Sequence, residues 1–502
     1  MHPQCQQILK TKPQLPTRVL QIGDESTRMS KLVSGSGKHE NYATLSHCWG
    51  ESQPLTIKLA TLEARQSCIM DSQLPKSFMD AVTACRKLDI KYLWIDSLCI
   101  IQDSKEDWQA ESATMGNVYG NSILTIAAAC AENIEKGLFF RRNALRTRPC
   151  FARIFGVWCI IERHPNLVTE IYGDLRLTSS WILDTRAWVL QEQVLACRTV
   201  SFFNDGVYWN CANLRASEQH PTGLPGIPQA KMDFRSQLQG IIYGTGLFTG
   251  LRKAVAYDFW YRCVMDFSRR ELTYQNDKLP AIDGIASKMS ESVCDEHISG
   301  IWKSDIHVGL LWMLSLEKGH KPRVADMSQA YRASSWSWAS VEDFIDYTHV
   351  IPSLDLDERV LVAPILELID TQNIPTDDQG SLQGISKIKL QIQAPLIAKV
   401  LKDDSNRYEL MTKLKQSLNN NGETRLGPFF PDRAVDSCFC ALVAIIESKT
   451  PERRSSTSTV WCIVLEPKTN TSDQYVRVGL CRLEEDKLRL FDSRTIQKIS
   501  LV

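Results

Sequence analysis

Tyr92-Leu93-Trp94-Ile95-Asp96-Ser97-Leu98-Cys99-Ile100-Ile101-Gln102-Asp103 is the stretch whose reading decides the fold. Its first half is an apolar run of strand length, dense in aromatic and β-branched residues, as expected of a strand covered on both faces. Asp96 interrupts the run. A carboxylate at the carboxyl end of such a strand has to be hydrogen-bonded, ion-paired or placed in the crevice where open α/β sheets bind ligands. A cap on a neighbouring turn would satisfy it equally well, so the flanking sequence has to decide.

Upstream, Tyr42-Ala43-Thr44-Leu45-Ser46-His47-Cys48-Trp49-Gly50 reads as a first core strand followed by a sharp turn at Gly50. Ser46, His47 and Trp49 then stand at a strand's carboxyl end, where α/β folds hold ligands. For His47 alone, a core histidine bonded to a backbone carbonyl is the commoner arrangement. Leu74-Pro75 opens a helix with Pro75 at the first helical position, and Phe78, Ala81, Val82, Cys85 and Leu88 form one apolar stripe. Strand, helix and strand within about fifty residues make a βαβ unit with parallel pairing. Downstream, Asp103 and Glu106 form a capping box for a helix carrying Trp108, Met115 and Tyr119, with Gly120 placed to end it, and residues 123–129 read as a third buried strand. The repeat predicts a parallel sheet flanked by helices.

Residues 143–180 read as a less regular insertion with a strand pair near 151–161. Asp184 can cap a helix through Arg186, Ala187, Trp188, Leu190, Gln191, Glu192 and Leu195. Ala187, Leu190 and Val194 make its apolar face, whereas Trp188 and Glu192, four apart, share another. Residues 199–203 and 207–211 around Asn204-Asp205-Gly206 predict a hairpin. The expected organisation is a leader over 1–38 with one strand candidate at 18–22, an α/β domain over 39–213, a linker or mobile loop over 214–250, a mostly helical segment over 251–350, and a β-rich region over 351–502. Helices are expected at 257–267, 280–289 and 307–316, and a strand at 334–341. Further strands are expected at 360–368, 388–392, 438–446, 460–465, 475–482 and 488–491. Residues 404–432, with Asn419-Asn420-Asn421-Gly422, read as a flexible insertion.

With 58 basic and 58 acidic side chains, no global basic field recommends nucleic acid or an anionic membrane as main partner. The 16 cysteines are scattered singly, and the closest couple, Cys438 and Cys440, sits in an alternating apolar run. This favours a reducing compartment over a disulfide framework or a metal site. No apolar run is long enough to span a bilayer and the amino terminus has no apolar signal core, so a cytosolic or nuclear protein is expected. Gly-x-Gly-x-x-Gly, Walker-type and Gly-x-Ser-x-Gly signatures are absent, which weighs against dehydrogenases, P-loop switches and the common hydrolase elbow.

Three blocks in order resemble the heterokaryon incompatibility (HET) domain of filamentous fungi. They are residues 42–50; residues 74–119, with Tyr92 to Gln102 at their centre, and Gly137-Leu138-Phe139; and Arg186-Ala187-Trp188-Val189-Leu190-Gln191-Glu192 with Trp209-Asn210-Cys211. Ala187 and Gln193 stand where Gly and a basic or apolar residue are commoner. The resemblance implies a cytoplasmic protein that triggers growth arrest and cell death when incompatible hyphae fuse, acting with other incompatibility or signalling proteins or by self-association. The HET domain is similar to TIR domains, which use a parallel sheet and in some members cleave NAD at the nicotinamide bond; Trp188 and Glu192 match the spacing of the TIR segment that bears the catalytic glutamate. On that likeness Glu192 is the candidate catalyst and NAD the candidate substrate, with no resident cofactor. Trp49 or Trp188 would stack on the base, Ser46 and Gly50 would line the phosphate path, Asp96 would order the pocket or hold a hydroxyl, and His47 would serve as acid or base. A nucleotide-consuming enzyme, a binding and signalling module, and a HET-like protein serving another process such as secondary metabolism are the alternatives.

Overall fold

The apolar runs become strands and the helical stripes become helices in a computed structural model, which describes residues 5, 11–50, 55–142, 150–161, 182–223, 234–244, 253–315, 332–351, 359–374, 387–404, 407–413, 423–432, 437–449, 457–468, 473–483, 485, 488, 491 and 496–502. One unit comprises residues 1–251, 270–272 and 280–292. In chain order it holds β1 (Arg18–Ile22), β2 (Met29–Ser34), β3 (Ala43–Ser46), α1 (Leu62–Ser67), β4 (Ile69–Met70), α2 (Lys76–Lys87), β5 (Tyr92–Trp94), α3 (Asp96–Cys99), α4 (Lys105–Asn121), β6 (Leu124–Ala127), β7 (Cys150–Ile154), β8 (Val157–Ile161), α5 (Ala187–Leu195), β9 (Arg198–Phe202), β10 (Val207–Cys211), β11 (Arg215–Ser217) and α6 (Phe234–Tyr243).

The main sheet has the order β11-β10-β9-β6-β3-β5-β1-β2-β4. β3 runs parallel to β5 and β6, and β6 parallel to β9. The expected parallel sheet is therefore only the centre of a mixed one. β1 and β2, and β9 and β10, are joined by short turns, which can connect only antiparallel strands. From β3 the chain passes to β5 on one side, then to β6 on the other, and from β6 it continues outward to β9. The strand order thus reverses at β3 and β6, and the crevice beyond their carboxyl ends is where such sheets bind ligands.

Side-chain burial explains this placement. Every residue of β3 is buried, as are Leu93 and Trp94 of β5 and all of β6. Phe78, Ala81, Val82 and Cys85 of α2 join the same core, whereas Leu88, at the helix end, is exposed. Pro75 precedes α2 as its cap rather than opening its first turn. The buried Asp80 carboxylate accepts from the Leu138 amide (2.8 Å), and Ser77 N donates to Ile134 O (2.8 Å), so the loop after β6 is tied to the start of α2. Arg18 donates to Asp107 (2.5 Å) and to Cys99 O (2.7 Å), tying β1 to α4 and α3.

Several local expectations are corrected. The cap of α4 is Ser104, whose hydroxyl accepts from Asp107 N (3.2 Å), while Asp103 accepts from Leu59 N. Gly120 lies inside α4, which ends at Asn121 with Ser122 as its cap. Asp184 sits in a 3-10 turn before α5 and bonds Gln193, and Arg186 is the α5 cap. The stretch 214–250 contains β11 and α6. The strand pair near 151–161 and the 199–211 hairpin form as expected.

The second unit comprises residues 252–269, 273–279 and 293–502. Helix Lys253–Ser268 matches its sequence signal, and so does helix Pro280–Val293, which falls largely in the first unit. The third expected helix is reduced to Ile306–Gly309 and followed by the strand Met313–Leu314. Residues 334–341 form turns and a 3-10 helix at Trp338–Ser340 instead of a strand. Their serine hydroxyls bond backbone groups, Ser337 Oγ accepting from Ala339 N (3.1 Å) and Ser340 Oγ donating to Ser337 O (2.7 Å), which offers the chain an alternative to a ladder. The β-rich region forms a barrel-like sheet in which the long strand Lys387–Asp404 pairs with Glu367–Ile374, Arg407–Lys413, Ser437–Lys449 and Ile496–Leu501. The run 360–368 divides into Arg359–Pro364 and Glu367–Ile374, and the last strand is Ile496–Leu501; of the run 488–491 only Leu488 and Phe491 are described, neither in a strand, and the other two lie outside the described residues. Within the supposed insertion lie strands Arg407–Lys413 and Glu423–Pro431; Asn419 to Gly422 fall outside the described residues.

Gly50 has a left-handed backbone (φ +76°), and a Cβ there would stand 2.3 Å from Asn133 Cβ. Gly50→Ala is expected to destabilise the chain by about 2 kcal/mol or more, read as a lower urea midpoint at unchanged slope; an unchanged midpoint would show that the β3 exit does not depend on this contact.

Candidate functional site

β3 ends at Ser46, and the chain leaves it through His47, Cys48 and Trp49. β5 ends at Trp94, and after Ile95 the next residue, Asp96, opens the short helix α3. The two exits are joined by side chains: Trp49 Nε1 donates to Asp96 Oδ2 at 2.8 Å, and His47 Nε2 stands 3.7 Å from Asp96 Oδ1. Asp96 Oδ1 also accepts from the Ser97 amide (2.7 Å). Asp96 thus combines both readings the sequence left open, capping a turn and facing the rim residues.

Glu192 reaches this rim from α5 and is wholly buried. Helix α5 is held where three helices converge. The Cα atoms of Gly116 on α4 and Gly284 on the Pro280–Val293 helix lie so close that a Cβ on Gly116 would stand 2.8 Å from Gly284 Cα. Leu195 of α5 fills the space beside both glycines, and Gln191 that beside Gly284. The carboxyl of Glu192 is pushed up to about 7, chiefly by burial, with the Asp96 charge adding to the effect. The Ser46 and Tyr119 hydroxyls and the Arg186 guanidinium stand close enough to draw it partly back. Among the described residues, Glu192 Oε2, Ser46 Oγ and His47 Nε2 are buried without a hydrogen bond of normal geometry. Three such atoms, one on the Glu192 carboxyl, one on the serine beside it and one on the imidazole facing Asp96, are costly unless a ligand or solvent completes them.

The surrounding groups are set electrostatically. Burial, and to a lesser extent Arg186, hold His47 below the usual imidazole range, against the opposing pull of Asp96 and a bond to the Leu45 carbonyl, so the ring is neutral at pH 7. Its edge stands against Phe78 at 5.0 Å between centroids. Burial pushes the Cys48 thiol up to about 11, which makes it a poor nucleophile. Burial, with the Glu192 and Asp96 charges, keeps the Tyr119 phenol protonated, and its hydroxyl donates to Leu45 O at 3.3 Å. Arg186 donates to the His47 carbonyl, holding a cation over the exit of β3.

Of the residues singled out from sequence, Ser46, His47, Trp49, Asp96 and Glu192 share one neighbourhood. Gly50 lies at its edge, pressed against Asn133. Trp188 packs its indole edge-on to Trp108 of α4 (6.5 Å, 87°), a helix-to-helix contact. Sequence reasoning missed Arg186 and Tyr119. In the sequence Arg186 reads only as part of the helix signal and Tyr119 as one member of an apolar stripe; a hydroxyl on a buried stripe close to a buried acid is the signal available.

The fold and this rim define an α/β domain with a buried polar cluster at its strand-order reversal. Residues 42–192 match the family model described as Heterokaryon incompatibility protein (HET), and the chain carries a HET domain. No curated protein and no solved structure matches the chain.

The raised carboxyl makes stability depend on pH with a definite sign. An unfolded glutamate releases its proton near 4.5 and the folded one near 7. Between these values the folded state holds a proton that the unfolded state lacks, so stability falls as pH rises, by up to roughly 3 kcal/mol. Glu192→Gln is therefore expected to raise the melting temperature at pH 8 and to change it little at pH 4.5; equal shifts at both values would show that the carboxyl is not desolvated in the fold.

Proposed function

We propose that the HET domain cleaves the nicotinamide–ribose bond of NAD or a closely related nucleotide, with Glu192 as the catalytic carboxylate, and that this consumption drives growth arrest and cell death in fungal non-self recognition. The observation that carries the reading is the buried Glu192 carboxyl at the strand-order reversal, facing Ser46 with unsatisfied oxygens on both. The TIR-like spacing of Trp188 and Glu192 supports it from sequence.

The chemistry suits the site. The C1′–N bond breaks with its electron pair passing to nicotinamide, which leaves as a neutral amide, so no strong acid is required. The developing ribosyl cation needs an ionised carboxylate nearby. The cationic nicotinamide ring in a low-dielectric site favours ionisation of Glu192, so a carboxyl that is only half ionised near pH 7 in the empty site becomes fully charged when the substrate binds. Water then attacks C1′ and gives up its proton, yielding ADP-ribose. Arg186 and the rim hydroxyls supply donors for pyrophosphate and ribose oxygens, and Trp49, held by Asp96, offers a ring to stack on a base. The protein is read as cytoplasmic, working with other incompatibility components or through self-association.

The test is nicotinamide release from NAD by the purified full chain. Wild type is expected to turn over, with kcat/KM falling about tenfold per unit below pH 7 and Glu192→Gln losing at least about 100-fold. Absence of release at high protein concentration would leave the domain as a binding and signalling module.

A further inference from the structure

The β7–β8 hairpin carries apolar side chains outward. Phe151 and Trp158 are each 70% exposed, Val157 64%, Ile154 43%, and Phe155 completely. Arg153 stands directly opposite Trp158 in the ladder, and Phe151 lies two residues from Arg153, so the three share one face. Phe155 and Gly156 form the two-residue tip, both with positive φ (+49° and +83°). That turn favours Asn, Asp or Gly at its first position. A phenylalanine there sits in a backbone region costly for a large side chain, while its ring contributes nothing to the core. A two-stranded ribbon gains little stability in water by itself. A strained aromatic tip with an apolar face therefore calls for something outside the fold.

The charge pattern says what. Residues 141–161 contain Arg141, Arg142, Arg146, Arg148 and Arg153 and no Asp or Glu, in a chain whose net charge is zero. Arg142 pairs with Glu218, whereas Arg153 is exposed and donates only to Gly156 O (3.1 Å) among its described contacts. Aromatic rings at a tip, flanked by arginines whose stems can lie along apolar surface, suit the boundary between lipid headgroups and acyl chains. The absence of carboxylates removes the repulsion an anionic leaflet would otherwise impose. No helix among the described residues is long and apolar enough to cross a membrane, so the contact is one that lies on the surface.

We propose that the β7–β8 hairpin is a peripheral membrane contact, seating Phe155, Trp158 and Val157 in the interface of an anionic leaflet with Arg153 against the headgroups. The proposal is independent of catalysis at Glu192.

Co-sedimentation of the full chain with vesicles tests it. Wild type is expected to bind phosphatidylcholine vesicles holding about 30 mol% phosphatidylserine and to bind pure phosphatidylcholine far more weakly, with affinity falling as salt rises. Phe155→Asn relieves the turn and should leave the melting temperature unchanged or higher, yet weaken binding at least about tenfold. Arg153→Glu should weaken it by roughly tenfold or more. Undiminished binding by Phe155→Asn, or no binding by wild type, overturns the proposal. So does an oligomer, seen in sedimentation velocity, that Phe155→Asn dissociates while the vesicles are ignored.

Discussion

Complete burial of β3 is the constraint on which the HET domain's geometry rests. A parallel strand paired on both edges and covered on both faces must satisfy each polar group locally. Thr44 does so, its hydroxyl meeting that of Thr125 on β6 at 2.8 Å. Ser46 lies two residues on, so its side chain leaves the same face of the strand. It has no such partner and stands beside Glu192. The difference between a closed and an open hydroxyl on one strand marks where packing stops and the site begins.

Charges elsewhere in the domain show how this chain treats buried ions when stability is the only demand. Arg86 holds both oxygens of Asp71 (2.7 and 3.1 Å) and the Gly23 carbonyl, closing every strong donor–acceptor pair. Arg18 gathers Asp107, Glu111 and a backbone carbonyl. Arg186, the cation near Glu192, spends a donor on the His47 carbonyl and leaves the acid half ionised near neutrality. An acid held in this way weakens the fold above pH 7, and groups that cost stability while perturbed in this manner concentrate where function requires them.

Much of the fold was legible because its signals were redundant. The central strands are continuous apolar runs, α2 carries a clean stripe, and Asn204-Asp205-Gly206 specifies a hairpin. What failed were decisions between chemically similar neighbours. Asp103 and Ser104 are both good caps, and only the chain's approach selects Ser104. Ser334 to Val341 alternates polar and large apolar residues as a strand does, yet its serines bond nearby backbone and both tryptophans are buried. Antiparallel margins were invisible because pairing direction depends on connection length and on partners far along the chain. Net charge hid the arginines of 141–153, since a sum over 502 residues averages a local excess to nothing.

The site was legible by position and less so by spacing. Strand ends named Ser46, His47, Trp49 and Asp96, because the carboxyl edge of a parallel sheet is set by topology. The four-residue interval from Trp188 to Glu192 suggested a shared environment, which holds for a helix with one apolar stripe. Helix α5 is buried almost all round. On such a helix each turn meets a different neighbour: Trp188 meets Trp108, whereas Glu192 meets Tyr119, eleven residues further along α4. An indole and an acid one turn apart are thus divided between helix packing and the buried polar rim, and Trp49, anchored by Asp96, is the ring the geometry leaves beside that rim.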